Sequence, residues 1–220
     1  MIGAGKMATI LSRYFAKAGH KVFIGARDLN QATGLASDIG FNVQGGTIDE
    51  AVQQGDIIFL AVPYLQIKDT LKLTGPLKDK IVVDMSNPLK ADFSGLLIGG
   101  ETSAAEELAK LIPDAKVVKA FNCLFATVLE RGSEFGPVAN SESGSDLRNH
   151  RAQIFYAGDD DMAKQQVAEL IEDTGFEPLH TGQLISARYQ EQLTALVLET
   201  DKYLKDPLQI TPVMLMRERI

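Results

Sequence analysis

The chain has 220 residues, 45% of them apolar and 23% charged, and a net charge of −7. These values suit one or two globular domains at about 150 residues each and exclude disordered, collagen-like and coiled-coil classes. The acidic balance argues against a nucleic-acid partner, which needs a basic footprint. A single cysteine, Cys123, leaves no internal disulfide and no cysteine-based metal cluster, so a reducing, cytoplasmic setting is expected. The apolar run at 57–65 contains Pro63 and falls far short of the roughly 20 residues that span a bilayer, so no membrane partner is expected.

The first half alternates short β-branched runs with helical patterns, which predicts crossover units on a parallel sheet. Strands are expected at 21–24, 41–44, 56–61, 80–84 and 116–120. The runs Ile57-Ile58-Phe59-Leu60 and Ile81-Val82-Val83 are continuous rather than alternating, as strands covered on both faces are. Between them, Met7, Ile10, Leu11, Tyr14 and Phe15 recur at helical spacing, and Gly19 supplies a stop. Thr47 with Glu50, and Ser103 with Glu106, have capping-box spacing and mark two further helix starts. Residues 132–150, rich in Gly, Ser, Asn and charge, read as a long loop. A strand at 153–157, a helix at 160–174, a short strand at 177–180 and a last helix at about 184–204 follow. Pro207 and Pro212 then end regular structure.

The expected fold class is α/β: a Rossmann-type doubly wound parallel sheet of seven or eight strands with a smaller C-terminal helical segment. Residues 1–122 would form the nucleotide-binding domain. Residues 123–220 would form an extension that completes the sheet and flanks a second ligand. Only Met1 and Ile2 precede the first motif, where a central strand of about five or six residues is expected. That shortfall predicts a chain that starts several residues late.

Gly3, Ala4, Gly5, Lys6, Met7 and Ala8 give G-x-G-x-x-A at the entrance to a helix. The first glycine permits a tight turn, the second lets a pyrophosphate approach the backbone, and the small third position allows close helix–strand packing. The helix N-terminus adds amide donors and a positive dipole end. After the next strand come Gly25, Ala26 and Arg27, where an NAD-selective site would place an acid for the ribose 2′-hydroxyl. The planar fork of Arg27 suits a 2′-phosphate instead, and Asp28, one residue further on, suits a helix cap. NADP is therefore expected over NAD.

Three more segments end at the same sheet edge. Ala61, Val62 and Pro63 offer an apolar flank to the nicotinamide or its ribose. Ser86, Asn87 and Pro88 offer hydroxyl and amide groups, although turn chemistry alone also explains Asn-Pro. Ala120 leaves room for a flat ring, Asn122 can orient a carboxamide, and Cys123 reads as a small buried group rather than a nucleophile. His20, His150 and His180 give little, and Asp159 to Asp161 suit a helix start through the dipole, so no metal site is expected. No catalytic acid or base is assigned, since in hydride transfer the cofactors carry the chemistry.

These motifs resemble the NADP oxidoreductases that depend on the deazaflavin coenzyme F420, and their relatives, the soluble domains of six-transmembrane metalloreductases. The resemblance rests on residues 3–8, Gly25 with Arg27, 61–63, 84–88, 118–122, Gly158 with Asp159, and the stretches 175–176 and 182–184. It implies hydride transfer between NADPH and a flavin-like ring. Gly3, Gly5, Lys6 and Met7 would hold the pyrophosphate and Arg27 the 2′-phosphate. Val62, Pro63, Ser86, Asn87 and Ala120 would surround the nicotinamide, with Asn122 and the loop after Phe121 facing the second ring. Deazaflavin-reducing members carry a His-Thr-containing segment where this chain has residues 121–124, so FAD and FMN stand beside deazaflavin as the implied acceptor. A dehydrogenase or imine reductase of a small organic substrate, and a non-catalytic NADP-binding sensor, remain as other readings. Homodimerisation is expected from the apolar tail at 212–220, with Val213, Met214, Leu215 and Met216.

Overall fold

A computed structural model of the chain describes residues 1–134, 151–205 and 210–214. Its centre is the continuous apolar strand β3 (Ile57–Leu60), paired in parallel with β4 (Ile81–Asp84), which pairs in parallel with β5 (Lys116–Ala120). On the other side β1 (Phe23–Gly25) pairs in parallel with β2 (Gln44–Gly46). Helices cover both faces, as the continuous apolar runs require. One face packs Phe59 and Val83 against α1 (Lys6–Lys17), α2 (Leu29–Ile39) and α7 (Asp161–Asp173), through Leu11, Phe15, Ala32 and Val167. The other packs Ile58 and Val82 against α3 (Ile48–Gln54), α5 (Ala104–Leu111) and α8 (Ala187–Asp201), through Val52, Leu108 and Ala187. The sheet is doubly wound.

Two features differ from expectation. The second strand lies at 44–46 rather than 41–44, because Phe41 and Asn42 take left-handed φ values of 53° and 60° and turn the chain first. The shift places Gly45 against α2, where an added Cβ would lie 2.3 Å from the Ala32 carbonyl oxygen, so only glycine fits. The sheet is also not wholly parallel. Strand β6 (Gln153–Gly158) runs antiparallel to β5, and β7 (Glu177–His180) runs parallel to β6. The described residues hold seven strands.

Of the segment read as a long loop, 135–150 lies outside the described residues. Gly132 ends α6 (Ala126–Arg131), and Glu134 forms an antiparallel bridge with Arg151. In the tail, the Met214 N–H donates to Gln153 Oε1 at 2.7 Å and its carbonyl accepts from Gln153 Nε2 at 3.1 Å. Leu215 and Met216 lie outside the described residues. No helix among the described residues is long and apolar enough to cross a membrane.

Met1 and Ile2 alone fill the place of the central strand. Ile2 bridges in parallel to both Gly25 and Leu60, joining the two blocks of the sheet. Its N–H donates to the Phe59 carbonyl at 2.8 Å and its carbonyl accepts from Ala61 N–H at 2.9 Å. Gly25 N–H donates to the Met1 carbonyl at 2.8 Å, and the Met1 amine donates to the Phe23 carbonyl at 2.8 Å. Below Met1, at the edge away from the glycine turn, a cavity of about 720 Å³ opens between Phe23 and Ile57.

In a chain that begins at Met1, burial lowers its amine from 8.0 to about 5. Between those values the unfolded chain holds a proton that the folded chain sheds, so this group makes stability rise with pH across that window. The contribution is at most about 4 kcal/mol. For the chain beginning at Met1, the urea midpoint is expected to fall between about pH 8 and about pH 5.5. N-acetylation should flatten that fall; an equally steep fall in the acetylated chain would exclude the amine as its source.

Candidate functional site

The loops after β1, β3, β4 and β5 meet the turn at residues 3–5 along one edge of the sheet, where open α/β sheets bind ligands. Gly3 takes φ 110°, and an added Cβ there would sit 2.5 Å from the Ala61 carbonyl oxygen, so the turn is pressed against the end of β3. Gly5 is the N-cap of α1 and has nothing within 4 Å of a built Cβ. No side chain caps α1 and no acid lies in its first turn, whereas Asp28, Thr47, Ser103 and Asp160 cap α2, α3, α5 and α7. The first-turn amides of α1, at Lys6, Met7 and Ala8, precede its first intrahelical bond, from Thr9 N–H to the Gly5 carbonyl at 2.9 Å. Lys6 adds positive charge and pairs with Glu130 at 2.9 Å in an exposed bridge. Free donors, a positive end and open space above Gly5 fit a pyrophosphate.

At the end of β1, Ala26 is buried and Arg27 is exposed, its Nη2 donating to Gln66 Oε1 at 3.0 Å. Asp28 Oδ1 accepts from the N–H groups of Asn30 and Gln31 at 2.9 and 3.3 Å. The acid is thus engaged as a helix cap, and the guanidinium is left exposed at the end of β1. After β3, Ala61 and Val62 are partly buried, and Pro63 is exposed ahead of a 3₁₀ turn at Tyr64–Gln66 that leads into α4 (Ile67–Leu71).

Ser86, Ala120 and Asn122 form a buried floor, and Asn87 is half-buried above it. Asn87 Nδ2 donates to the Asn122 carbonyl at 2.9 Å, and Asn122 Nδ2 donates back to Asn87 Oδ1 at 3.0 Å. Thr194 of α8 ties the pair down, its hydroxyl donating to the Asn122 carbonyl at 3.2 Å. The Asn122 side chain therefore joins two loops. The Ser86 hydroxyl is buried without a partner among the described residues. Phe121, buried, takes a left-handed φ of 64°, which turns the chain sharply at the end of β5.

The sequence reading passed over most of a charged cluster beneath this floor. Lys119 is fully buried and donates to Asp84 Oδ2 at 2.8 Å, Glu191 Oε1 at 2.8 Å and the Ser86 carbonyl at 2.6 Å. A signal was present: lysine and aspartate inside apolar strands covered on both faces must be paired. Burial would lower Lys119, but the two carboxylates outweigh it and hold the ammonium above its ordinary value. Burial raises Glu191 against the pull of Lys119. Tyr64 is raised by burial and by the charges of Glu107, Glu191 and Asp84. Burial pushes the Cys123 thiol up to about 11, so it stays protonated, as expected of an unreactive cysteine.

The histidines stand apart. His20 pairs with Asp173 at 2.7 Å, and His180 packs on Tyr156 with ring centroids 5.3 Å apart; His150 lies outside the described residues. Among the described residues no group of three or more His, Cys, Asp or Glu side chains could hold a metal ion.

Fold and glycine turn define a Rossmann-type α/β protein. Residues 1–88 match the family model described as NADP oxidoreductase coenzyme F420-dependent. The chain is 31% identical over 202 residues to the rat metalloreductase STEAP3, covering 92% of this chain and 37% of that protein. It is 28% identical over 211 residues to an F420-dependent NADP reductase of Methanothermobacter thermautotrophicus, covering 89% of this chain and 85% of the relative. Among solved structures, an Arthrobacter sp. FB24 protein described as an F420-dependent NADP reductase superposes with a TM-score of 0.81 at 23% identity, covering 98% of this chain and 97% of its own. The chain spans little more than a third of the metalloreductase it matches. These findings bear out the resemblance drawn from the motifs: the chain is related to the F420-dependent NADP oxidoreductases and to the metalloreductases.

The two glycines of the turn should respond differently to a methyl group. Gly3→Ala meets the Ala61 carbonyl oxygen at 2.5 Å with φ 110° and should cost on the order of 3 kcal/mol. Gly5→Ala has open space and should cost less than about 1 kcal/mol as a poorer cap. Urea unfolding of both variants checks the order; a larger loss at Gly5 would contradict the turn geometry.

Proposed function

We propose that the chain is an NADP-dependent oxidoreductase that transfers a hydride between NADP(H) and a flavin or deazaflavin. The nucleotide half of this reading rests on one observation: Arg27 is exposed at the end of β1 while Asp28 is committed to capping α2. The acceptor half is carried over from the F420-dependent NADP reductase among the relatives. FAD and FMN stand beside deazaflavin, because the segment at 121–124 departs from the deazaflavin-reducing pattern.

When bound, the nicotinamide supplies the hydride chemistry. The chain's own residues bind and orient. Gly3, Ala4, Gly5, Lys6 and Met7 cradle the pyrophosphate, and Arg27, next to the small Ala26, grips the 2′-phosphate as a planar fork. Ala61, Val62 and Pro63 give an apolar wall that keeps water from the reacting face, and Ser86, Asn87 and Ala120 give the opposing floor. The reciprocal Asn87–Asn122 amide pair fixes the spacing of the loops after β4 and β5, and the loop after Phe121 faces the second ring. No side chain need move a proton to the substrate. Lys119, the acid a dehydrogenase or imine reductase of a small substrate could use, has no exposed surface and three partners already.

Arg27→Ala should weaken NADPH binding by about tenfold to a hundredfold and NADH binding by less than about twofold, as loss of a charge-assisted contact to the 2′-phosphate requires. Calorimetry with both nucleotides checks this; equal losses would remove the assignment. NADPH oxidation followed with deazaflavin, FAD or FMN added separately tests the acceptor. NADPH binding without oxidation by any of the three would replace this reading with that of a nucleotide sensor.

A further inference from the structure

The charged cluster under the floor has a complete set of hydrogen bonds. The ammonium of Lys119 gives its three protons to Asp84, Glu191 and the Ser86 carbonyl. The second oxygen of Asp84 accepts from Ser86 N–H at 2.9 Å, and the second oxygen of Glu191 accepts from Ala104 N–H, at the start of α5, at 3.0 Å. All four carboxylate oxygens accept, as two ionised groups require. Where side-chain exposure is 1% or less, two carboxylates around one ammonium leave a net negative charge, offset only in part by the positive end of α5 at Ala104.

Stability alone does not account for this arrangement, since apolar side chains of similar volume usually serve a fold as well as a buried ion cluster or better. Its position does have a consequence. Ser86 donates to Asp84 through its N–H and accepts from Lys119 through its carbonyl, and the same residue forms the floor of the site. A single residue thus separates the excess charge from the place assigned to the nicotinamide. The field also reaches the rim, because Asp84 and Glu191 both act on the Tyr64 phenol as like charges.

We propose that the excess negative charge of Asp84 and Glu191 around Lys119 biases the bound nicotinamide toward its oxidised, cationic form over its reduced, neutral form. The inference rests on the nucleotide reading above. The two forms share phosphates, riboses and adenine, so those contributions cancel in the ratio of their affinities. Only the ring differs, by one positive charge. At an effective dielectric constant of about 20, one unit charge acting over about 10 Å changes such a ratio by roughly tenfold. Tighter binding of the oxidised form makes the bound nucleotide a stronger hydride donor, by electrostatics set in place before any transfer.

The test is the ratio of the dissociation constants of NADP⁺ and NADPH, measured by calorimetry on the whole chain without any acceptor. Glu191→Gln removes one charge at nearly constant shape. It should raise the ratio of the NADP⁺ constant to the NADPH constant by roughly tenfold, while the NADPH constant changes less than about threefold. Asp84→Asn removes the other carboxylate and should move the ratio in the same direction, so the result does not hang on one variant folding. Arg27→Ala should weaken both forms alike and leave the ratio unchanged. If the carboxylate variants leave the ratio unchanged, by weakening both forms equally or neither, the cluster is merely structural and the proposal is overturned. If the unsubstituted chain binds neither nucleotide, the nucleotide reading itself falls, which is a separate and recognisable result.

Discussion

Two residues hold the sheet together at its most demanding place. Ile2, fully buried, is the only residue with bridges to both β1 and β3, and on either side of it the two blocks of the sheet share no other ladder among the described residues. Everything at the functional edge hangs from this seam. The glycine turn begins at the next residue, and Gly3 N–H donates back to the Gly25 carbonyl at 2.8 Å. The seam thereby fixes the distance between the α1 N-terminus and Arg27, the two features on which the proposed nucleotide site rests. The hydrogen bonds of residues 1–3 thus bear on both the joining of the sheet and the geometry of the turn.

The parts of the molecule legible in the sequence are those whose physical cause is local. Thr47 and Glu50 form the reciprocal capping box that their spacing implies, at 3.2 and 2.8 Å. Asp28 caps a helix two and three residues ahead, as a short acceptor directly before a helix does. Gly3 needs its positive φ for a turn written entirely within six residues. The continuous apolar runs announced a sheet with two covered faces, and Ile58 and Phe59 indeed face different helical layers.

What was not legible depends on residues distant in the chain. The direction of β6 is set by where its connection from β5 returns, and no local pattern states that. Glu191 reaches Lys119 across 72 residues and supplies the second carboxylate of the cluster, while nothing around Glu191 in a surface-like helical sequence marks it as buried. Asn87 and Asn122 were legible as loop residues at the right edge, but their mutual pairing across 35 residues was not. That pairing changes what they can do: the Asn87 amide, engaged by the main-chain carbonyl and the side-chain Nδ2 of Asn122, sets the spacing of two loops and presents less free hydrogen-bonding capacity to a ligand than its residue type suggests.

The polar chemistry of this edge is therefore mostly turned inward. Lys119 is saturated, Cys123 is held as a thiol against the Gln190 carbonyl at 3.3 Å, and the asparagines hold each other. Outward-facing polarity is concentrated instead at the α1 N-terminus and Arg27, where phosphates would bind, with an apolar wall at Val62 and Pro63. An edge that binds at one end and is apolar and preformed at the other suits a transfer in which the protein's task is placement. It does not suit one in which a side chain must gain or lose a proton at the reacting atom. In such a site the surviving means of influence is the fixed field from below, and that field is supplied by the two carboxylates that a single ammonium leaves unbalanced.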